Sequence, residues 1–282
     1  MEIIRTVKRL EEALGNARSE GLSIGLVPTM GALHAGHKSL VDCARAQNDV
    51  VVVSVFVNPT QFNNAADLAT YPRTEAADEA LLDASGVDYM FLPSVEEVYP
   101  QPDPRVFNLG PVAEVMEGPM RPGHFNGVCQ IVSKLFGMVK PHRAYFGEKD
   151  FQQIAVIRRM VELEGFEVEI VDCPIVREAD GLALSSRNVR LTPEGRQVAP
   201  GIHRVLAESV RLKENGMNPG EVEDEVVRQI NSLPGLTTEY FSIVDAITMQ
   251  PLAAWESAGA AGAVGCVTVY CGDVRLIDNI RY

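Results

Sequence analysis

The segment of residues 50–57, VVVVSVFV, constrains the fold of this 282-residue chain more than any other feature. It is almost continuously β-branched, and Ser54 is its one polar residue. A strand with one wet face alternates apolar and polar residues, whereas a strand covered on both faces does not. The segment therefore predicts a central strand with helices packed on both sides.

Strand-like and helix-like segments alternate around this run. Predicted strands cover residues 23–27, 50–57, 87–92, 144–146 and 167–171. Predicted helices cover residues 5–20, 37–47, 74–85, 124–139 and 151–164. Such alternation is typical of a doubly wound α/β fold with a parallel sheet, in which ligands bind at the carboxyl ends of the strands.

The pattern changes near residue 176. Thr192-Pro193-Glu194 and Asn218-Pro219-Gly220-Glu221 carry the capping residues and prolines of helix N-termini. Three strand-like runs follow at residues 240–246, 264–270 and 274–280, and Cys271-Gly272-Asp273 predicts a hairpin turn between the last two. We predict a Rossmann-like domain over residues 1–175 and a smaller C-terminal α+β domain over residues 176–282.

Charge and cysteine usage narrow the class of protein. The formal net charge of -13 disfavours binding to nucleic acid or to anionic membranes. No targeting segment or membrane span is evident, and the five scattered cysteines lack a C-x-x-C pair. These features predict a cytoplasmic protein with reduced, buried thiols, no disulfide framework and no protein-built metal site.

The strongest local motif is VPTMGALHAGH at residues 27–37, between a predicted strand and a predicted helix. Gly31 and Gly36 allow the backbone close to a ligand, and the N–H groups of a helix start attract anions. Histidines at 34 and 37 can then donate to phosphate oxygens. The alternative is that they are a helix cap and a surface residue. In this setting H-x-G-H resembles the nucleotidyltransferase superfamily.

Two further clusters lie at predicted strand ends. FGEKDFQQ, at residues 146–153, offers Lys149 as a cation for phosphates and Asp150 as an acceptor for ribose hydroxyls, although Asp150 and Gln153 also fit a helix capping box. GLALSSRN, at residues 181–188, places two hydroxyls and Arg187 in a loop that suits a phosphate clamp. Each cluster, taken alone, leaves a purely structural interpretation open.

Two shorter segments are candidates for holding the substrate. Asn58-Pro59-Thr60-Gln61-Phe62 directly follows the most buried strand, and Arg121-Pro122-Gly123-His124-Phe125 precedes a predicted helix. Asn-Pro and Pro-Gly are also common turn sequences, so both remain open as ordinary turns.

The ordered set of motifs resembles one family closely, the pantothenate synthetase or pantoate–β-alanine ligase family. The shared strings are VPTMGALHAGH, VVVSVFVNPTQF, YPRT, EGPMRPGHFNGV, FGEKDFQQ, DGLALSSRN and RLIDN, in that order along nearly the whole chain. Several long strings in a fixed order are far more specific than any one of them.

The resemblance implies a two-step ligase reaction: pantoate and ATP give pantoyl-adenylate and pyrophosphate, and β-alanine then displaces AMP to leave pantothenate. It implies His37 as the general acid, with His34 and Lys149 on the phosphates, and Gln61 and Gln153 on pantoate. The implied ATP-binding residues are Met30, Gly31, Ala32, Leu33, His34, Ala35, Gly36, His37, Gly147, Glu148, Lys149, Asp150, Val176, Leu184, Ser185, Ser186 and Arg187. It also implies Mg²⁺, a cytoplasmic location and a homodimer.

The competing hypotheses are other enzymes of the same fold and a protein without catalytic activity. A nucleotidyltransferase acting on a phosphate ester shares the phosphate loop, and a tRNA synthetase is disfavoured by the acidic charge and modest length. A silent nucleotide-binding regulator is a further alternative, against which stand His34, His37, Lys149 and Arg187, all present in this chain.

Overall fold

The valine-rich run forms the third strand of a six-stranded parallel sheet in the computed structural model, which describes residues 1–62 and 65–282. Every residue of this strand is buried. The strands are β1 (Glu2–Ile4), β2 (Ile24–Thr29), β3 (Val50–Val55), β4 (Tyr89–Phe91), β5 (Arg143–Gly147) and β6 (Glu169–Cys173). Their order is β1-β4-β3-β2-β5-β6, and every pairing is parallel, which confirms the predicted fold class.

Helices connect these strands, as the alternation predicts. They are α1 (Val7–Ser19), α2 (Ala35–Gln47), α3 (Ala65–Thr70), α4 (Glu75–Ala84), α5 (Val95–Val98), α6 (Glu117–Met120), α7 (His124–Val139) and α8 (Phe151–Glu164). Buried residues of α2, α4 and the strands, among them Val41, Leu82 and Val53, form one apolar cluster. Burial of such side chains is the main source of stability for a sheet of this kind.

The register of the sheet brings three loops to one edge. Thr29 at the end of β2 pairs with Val55 at the end of β3. Leu26 of β2 pairs with Ala144 of β5, so Gly147 ends β5 at the same level as Thr29. Because parallel strands all point the same way, the segments that begin at Met30, Phe56 and Glu148 leave the sheet together.

The C-terminal part contains an antiparallel sheet of three strands, ordered β7-β8-β9. These are β7 (Leu236–Asp245), β8 (Ala263–Cys271) and β9 (Val274–Arg281), accompanied by α9 (Pro193–Val198), α10 (Gly201–Glu214) and α11 (Pro219–Asn231). The predicted helix starts are confirmed: Thr192 accepts from the Gly195 N–H, and Asn218 forms a capping box with Glu221. Gly272, at a φ of 57°, makes the predicted hairpin turn before β9.

The chain divides into two compact units that each combine several stretches of sequence. Unit 1 comprises residues 1–109, 118–148 and 156–174, and unit 2 comprises residues 110–117, 149–155 and 175–282. Unit 2 therefore takes in two short stretches that precede residue 175. The domain boundary at residues 175 and 176 stays a prediction.

The parallel sheet has one strand that the sequence did not predict. β1 is only three residues long and pairs with β4 through Glu2, Ile3 and Ile4. Three residues are too few to show a period, so this strand follows from its partner and not from its own pattern. Among the helices of residues 1–62 and 65–282, none is long and apolar enough to cross a membrane.

Candidate active site

The loop after β2 is shaped by a buried carboxylate. Asp78 of α4, 2% exposed, accepts hydrogen bonds from the backbone N–H of Ala32 at 3.0 Å and of Leu33 at 2.8 Å. Gly31 has a φ of 80°, and a Cβ there would lie 3.1 Å from both Asp78 Oδ2 and Val55 Cγ1. A Cβ at position 31 would be strained by the backbone conformation and crowded by Asp78 and Val55, and Asp78 fixes the path of this candidate phosphate loop.

Both histidines of the loop lie at the start of α2 and cap it. His34 is the N-cap, and its Nδ1 accepts from the Gly36 N–H at 3.1 Å. The Nδ1 of His37 accepts from the His34 N–H at 3.3 Å, which completes a reciprocal capping box. The two ring centroids are 4.1 Å apart. The helix-cap alternative is thus confirmed for one histidine, His34, while His37, a surface residue in that alternative, also caps the helix.

Capping constrains the chemistry of each ring without excluding a role on phosphate. A nitrogen that accepts a backbone hydrogen bond carries no proton, so neutral His34 and His37 hold their protons on Nε2. Each ring can then donate from Nε2 to an anion at the helix start, where the helix dipole already favours negative charge. Protonating either ring at Nδ1 would break its capping bond.

Gln61 is held at the end of β3 by a set of polar contacts. It ends a 3-10 turn, Pro59–Gln61, that is capped by the buried Asn58. Asn58 Nδ2 donates to Gln61 Oε1 at 3.1 Å and to the Gly127 carbonyl at 3.1 Å. Gln61 Nε2 donates to Met30 Sδ, also at 3.1 Å. Gln61 therefore lies beside Met30, the first of the predicted ATP-binding residues, and its role in holding substrate stays a prediction.

The RPGHFNG segment supports the Gln61 turn. His124, at the start of α7, contacts the Gln61 carbonyl through Nδ1 at 2.9 Å, and Arg121 contacts His124 Nε2 at 3.1 Å. A Cβ at Gly127 would lie 2.3 Å from the Thr60 carbonyl oxygen. Glycine at 127 thus lets α7 lie directly against this turn. Residues 121–127 thus support the Gln61 turn within unit 1, a role that their turn-like sequence did not reveal.

In unit 2, Lys149 and Arg187, the two candidate cations for ATP, both act on the carboxylate of Asp150. Lys149 Nζ donates to Asp150 Oδ2 at 3.1 Å within the 3-10 turn Glu148–Asp150. Burial opposes ionisation of Asp150 most strongly, but the charges of Lys149 and then Arg187 outweigh it and lower the pKa of this carboxyl. Lys149, Asp150 and Arg187 therefore act on one another electrostatically.

The clamp-like loop follows a small hairpin. Arg177 forms an antiparallel bridge with Ala183, and the Leu184 N–H donates to the Val176 carbonyl at 3.0 Å. Ser185 Oγ accepts from the Arg187 N–H at 3.2 Å, so this hydroxyl shapes the loop. Ser185, Ser186 and Arg187 are each half-buried. The predicted residues Val176, Leu184, Ser185, Ser186 and Arg187 thus form one local structure.

Two adjacent glutamines at the start of α8 differ in environment. Gln152, 5% exposed, donates to the carbonyls of Val112 and Val115 and accepts from the Glu117 N–H. Gln153 is half-buried. Of the pair, Gln152 holds residues 112–117 in unit 2, and Gln153 remains the candidate for substrate. No sequence signal separated the two, because both lie on the first turn of the helix.

The parallel sheet is Rossmann-like, and a glycine-containing loop and a histidine-capped helix follow its second strand. These features are typical of a nucleotide-binding enzyme of the α/β class. Comparison with known proteins narrows this class. Residues 2–281 match the family model of pantoate-beta-alanine ligase. The chain therefore belongs to the pantoate–β-alanine ligase family, which is a family of carbon–nitrogen ligases, and the family predicted from the motifs is confirmed.

Individual relatives agree with this family. The pantothenate synthetase of Porphyromonas gingivalis is 60% identical over 282 residues, which cover 100% of this chain and 99% of that relative. The pantothenate synthetase of Bacteroides fragilis is 57% identical over 282 residues, with 100% of this chain and 99% of that relative covered. The pantothenate synthetase structure from Thermus thermophilus has a TM-score of 0.92 at 46% identity, covering 100% of this chain and 99% of that one. The Francisella tularensis pantoate-beta-alanine ligase, complexed with beta-gamma ATP and beta-alanine, has a TM-score of 0.81 at 36% identity, covering 100% and 97%.

Proposed function

We propose that this chain condenses pantoate with β-alanine to form pantothenate, using ATP and passing through pantoyl-adenylate with release of pyrophosphate and AMP. Membership of the pantoate–β-alanine ligase family supports the overall reaction. The observation that carries the adenylate step is the histidine pair at the start of α2, which offers two Nε2–H donors at an anion-attracting helix end.

In the first step, a carboxylate oxygen of pantoate attacks the α-phosphorus of ATP, and the bond to the pyrophosphate oxygen breaks. Negative charge moves onto the leaving pyrophosphate, where His34, His37 and the cations of Lys149 and Arg187 stabilise it. His37, the proposed general acid, would act on the leaving oxygen through Nε2, while its Nδ1 accepts the capping bond from the His34 N–H.

In the second step, the amine of β-alanine attacks the acyl carbon of the adenylate. The carbon–oxygen bond to the phosphate breaks, AMP leaves, and the amine proton is lost as the amide forms. No nucleophilic side chain is needed in either step, since the substrate carboxylate and the amine are the nucleophiles. The protein contributes orientation and charge stabilisation.

The glutamines hold pantoate in this scheme. Gln61, oriented by Asn58 and by its contact with Met30 Sδ, binds pantoate and lies near β-alanine, and Gln153 provides the second amide. A neutral amide orients an attacking carboxylate without forming an ion pair that would reduce its nucleophilicity. The other predicted ATP-binding residues hold the nucleotide: Met30 to Gly36, Gly147 to Asp150, Val176, and Leu184 to Arg187.

Mg²⁺ is proposed to enter with the nucleotide. Within residues 1–62 and 65–282, no group of three or more His, Cys, Asp or Glu side chains is arranged to hold a metal ion. Mg²⁺ keeps several waters and takes one or two carboxylates together with substrate phosphates, so it needs no dedicated protein cage. Asp150, whose pKa is lowered by Lys149 and Arg187 against the opposing effect of burial, would supply the ionised carboxylate. The ion would neutralise phosphate charge.

Two assays with the purified protein test this function. Pantoate should support exchange of labelled pyrophosphate into ATP without β-alanine, and AMP should accumulate only when β-alanine is added. Exchange that requires a phosphorylated acceptor would favour the rival nucleotidyltransferase. Absence of exchange, with ATP still bound, would favour a silent nucleotide-binding protein.

We also propose that the enzyme is a cytoplasmic homodimer. The proposal rests on the family resemblance, and the five free cysteines are consistent with a reducing compartment. Sedimentation equilibrium would distinguish a dimer from a monomer.

A further inference from the structure

The closing motif RLIDN has no part in the reaction proposed above, yet it contains two of the most buried polar residues of unit 2. Asp278 and Asn279 are adjacent on β9, and each is 5% exposed. Buried polar side chains are costly unless they are hydrogen-bonded, so their partners indicate what they do.

Asp278 holds the base of the hairpin that precedes the serine–arginine loop. Its carboxylate accepts two hydrogen bonds from Arg177, at 2.6 Å and 2.8 Å. The same guanidinium donates to the Gly181 carbonyl at 3.2 Å, so it spans the hairpin from its first strand to its turn. A two-pronged charged pair of this kind fixes orientation as well as position. The hairpin leads directly into Leu184 and Ser185.

Asn279 holds the other nucleotide-binding segment of unit 2. Its Nδ2 donates to the backbone carbonyl of Lys149 at 3.2 Å. This contact fixes the peptide that joins Lys149 to Asp150, and with it the direction in which the lysine side chain leaves the backbone. Asn279 is also tied to Asp278, whose Oδ1 accepts from the Asn279 N–H at 2.8 Å.

The two residues reach different segments because β9 has two faces. Neighbouring residues of a strand point to opposite sides of the sheet. Asp278 pairs across the sheet with Val267, which packs in the same apolar cluster as Leu182 of the hairpin. Asn279 pairs with Cys266, which packs in the same cluster as Phe151, at the start of α8. One strand thus contacts the hairpin on one face and the lysine turn on the other.

We propose that Asp278 and Asn279 are positioning residues for ATP, which keep the Lys149 turn and the Arg177–Ala183 hairpin at a fixed spacing so that Lys149 and Arg187 act on the same triphosphate. The inference rests on the proposed function, which assigns Lys149 and Arg187 to ATP. Both segments are tied to adjacent residues of β9, the lysine turn through the Asn279 amide and the hairpin through the Arg177–Asp278 pair.

Asn279→Leu tests the lysine side of this arrangement. It keeps the approximate size of the side chain, removes the donor to Lys149 and leaves the Arg177–Asp278 pair in place. Loss of the hydrogen bond to the Lys149 carbonyl should raise the KM for ATP by about 5- to 10-fold. The KM for β-alanine should stay within about twofold of wild type, because no hydrogen bond to β-alanine is removed. Asp273→Asn, in the exposed turn before β9, is the control and should change neither constant.

A double-mutant cycle separates positioning from a general loss of stability. Asn279 acts through Lys149, so Asn279→Leu should change the KM for ATP by less than about twofold when Lys149 is already alanine. If Asn279→Leu raises the KM for ATP as much in the Lys149→Ala protein as in the wild type, the proposal is overturned. Wild-type ATP affinity in Asn279→Leu with a lowered Tm would overturn it as well, by leaving the residue a structural role only.

The hairpin side is tested by the pair Arg177→Met and Asp278→Leu in one protein. Replacing both partners leaves no unpaired buried charge, and such replacements are often tolerated. The doubly substituted protein should fold and bind ATP more weakly than wild type; unchanged ATP affinity would contradict the proposal. If the wild-type enzyme shows no pantoate-dependent exchange of pyrophosphate into ATP, the proposed function is wrong. If wild-type exchange is normal and the variants bind ATP as the wild type does, only the positioning role is wrong.

Discussion

His37 caps helix α2 through Nδ1 and is proposed to donate to phosphate through Nε2, and substitutions can separate these two functions. Asn places an acceptor near the Nδ1 position and leaves nothing at Nε2, whereas Gln places a donor near Nε2. We expect His37→Asn to lower pantoate-dependent pyrophosphate exchange by about 10²- to 10³-fold, the usual effect of losing one transition-state donor. His37→Gln should lose less. Exchange at the wild-type rate in His37→Asn would show that Nε2 is not required.

Asp78 should matter for ATP although it is not expected to touch it. Asp78→Asn removes one of the two acceptor oxygens that hold the Ala32 and Leu33 N–H groups. We expect the free energy of unfolding to fall by about 1–3 kcal/mol and ATP binding to weaken. Chemical denaturation and titration calorimetry would measure the two effects. Glu79→Gln, exposed on the same helix, is the matched control and should leave both near wild type.

At the level of single residues, the sequence revealed the side chains of the candidate site better than their supports. Gly31, His34 and His37 were predictable as candidates because they lie between a predicted strand and a predicted helix, although the same pattern also fits helix capping. Asp78 was not, because its partners lie more than 40 residues away and nothing in its own helix marks it. Long-range hydrogen bonds leave no local period in a sequence.

At the level of elements, helix α7 supplies a test of how the Gln61 turn is held. Gly127→Ala places a methyl group 2.3 Å from the Thr60 carbonyl oxygen, so either the helix or the turn must move. Overpacking of this kind costs about 1–3 kcal/mol, and pantoate use should fall with it. Thermal unfolding and the KM for pantoate are the measurements.

Gly137→Ala is the control on the same helix, because nothing lies within 4 Å of its added Cβ. Alanine is the better helix former, so this substitution should raise stability by about 0.5–1 kcal/mol. Equal behaviour of the two variants would contradict the close approach of α7 to the turn.

Most helices and strands were predictable from the spacing of apolar residues along the sequence alone. Helices α7 and α8 match their predicted bounds, and the antiparallel strands lie within a few residues of theirs. β1 escaped prediction because its pairing with β4 makes it a strand. The environment of Gln152 was likewise not predictable from local sequence, because it depends on hydrogen bonds to the distant residues 112–117, whereas its neighbour Gln153 is half-buried.

For the whole molecule, the two units were only partly visible in the sequence. The shift from strand–helix alternation to an antiparallel hairpin marks the second unit near residue 176. The stretches 110–117 and 149–155 join that unit through contacts such as the pairing of Arg275 with Glu117, 158 residues away. Composition and period describe neighbours along the chain, so they could not assign these stretches.

The cysteines allow a test across both units. Burial raises the pKa of the Cys129 and Cys266 thiols to about 12, and that of Cys173 to about 12 with Cys43 contributing. Burial also raises the pKa of Cys271, and the half-buried Cys43 is the one thiol of the five that is not buried. Because the thiolate is the reactive form, alkylation of native protein at neutral pH should modify Cys43 alone. Mass spectrometry should find all five modified after unfolding; rapid native labelling of Cys129 or Cys266 would contradict their burial.

The central claim is that the pantoate carboxylate bonds to the α-phosphorus of ATP, and oxygen labelling tests it most directly. Pantoate labelled with ¹⁸O in its carboxylate is incubated with enzyme, ATP, Mg²⁺ and β-alanine, and the nucleotide product is analysed by mass spectrometry. An adenylate leaves one carboxylate oxygen on phosphorus when the amine displaces AMP, so each AMP should carry one ¹⁸O. Unlabelled AMP, or ADP with labelled inorganic phosphate, would contradict the account.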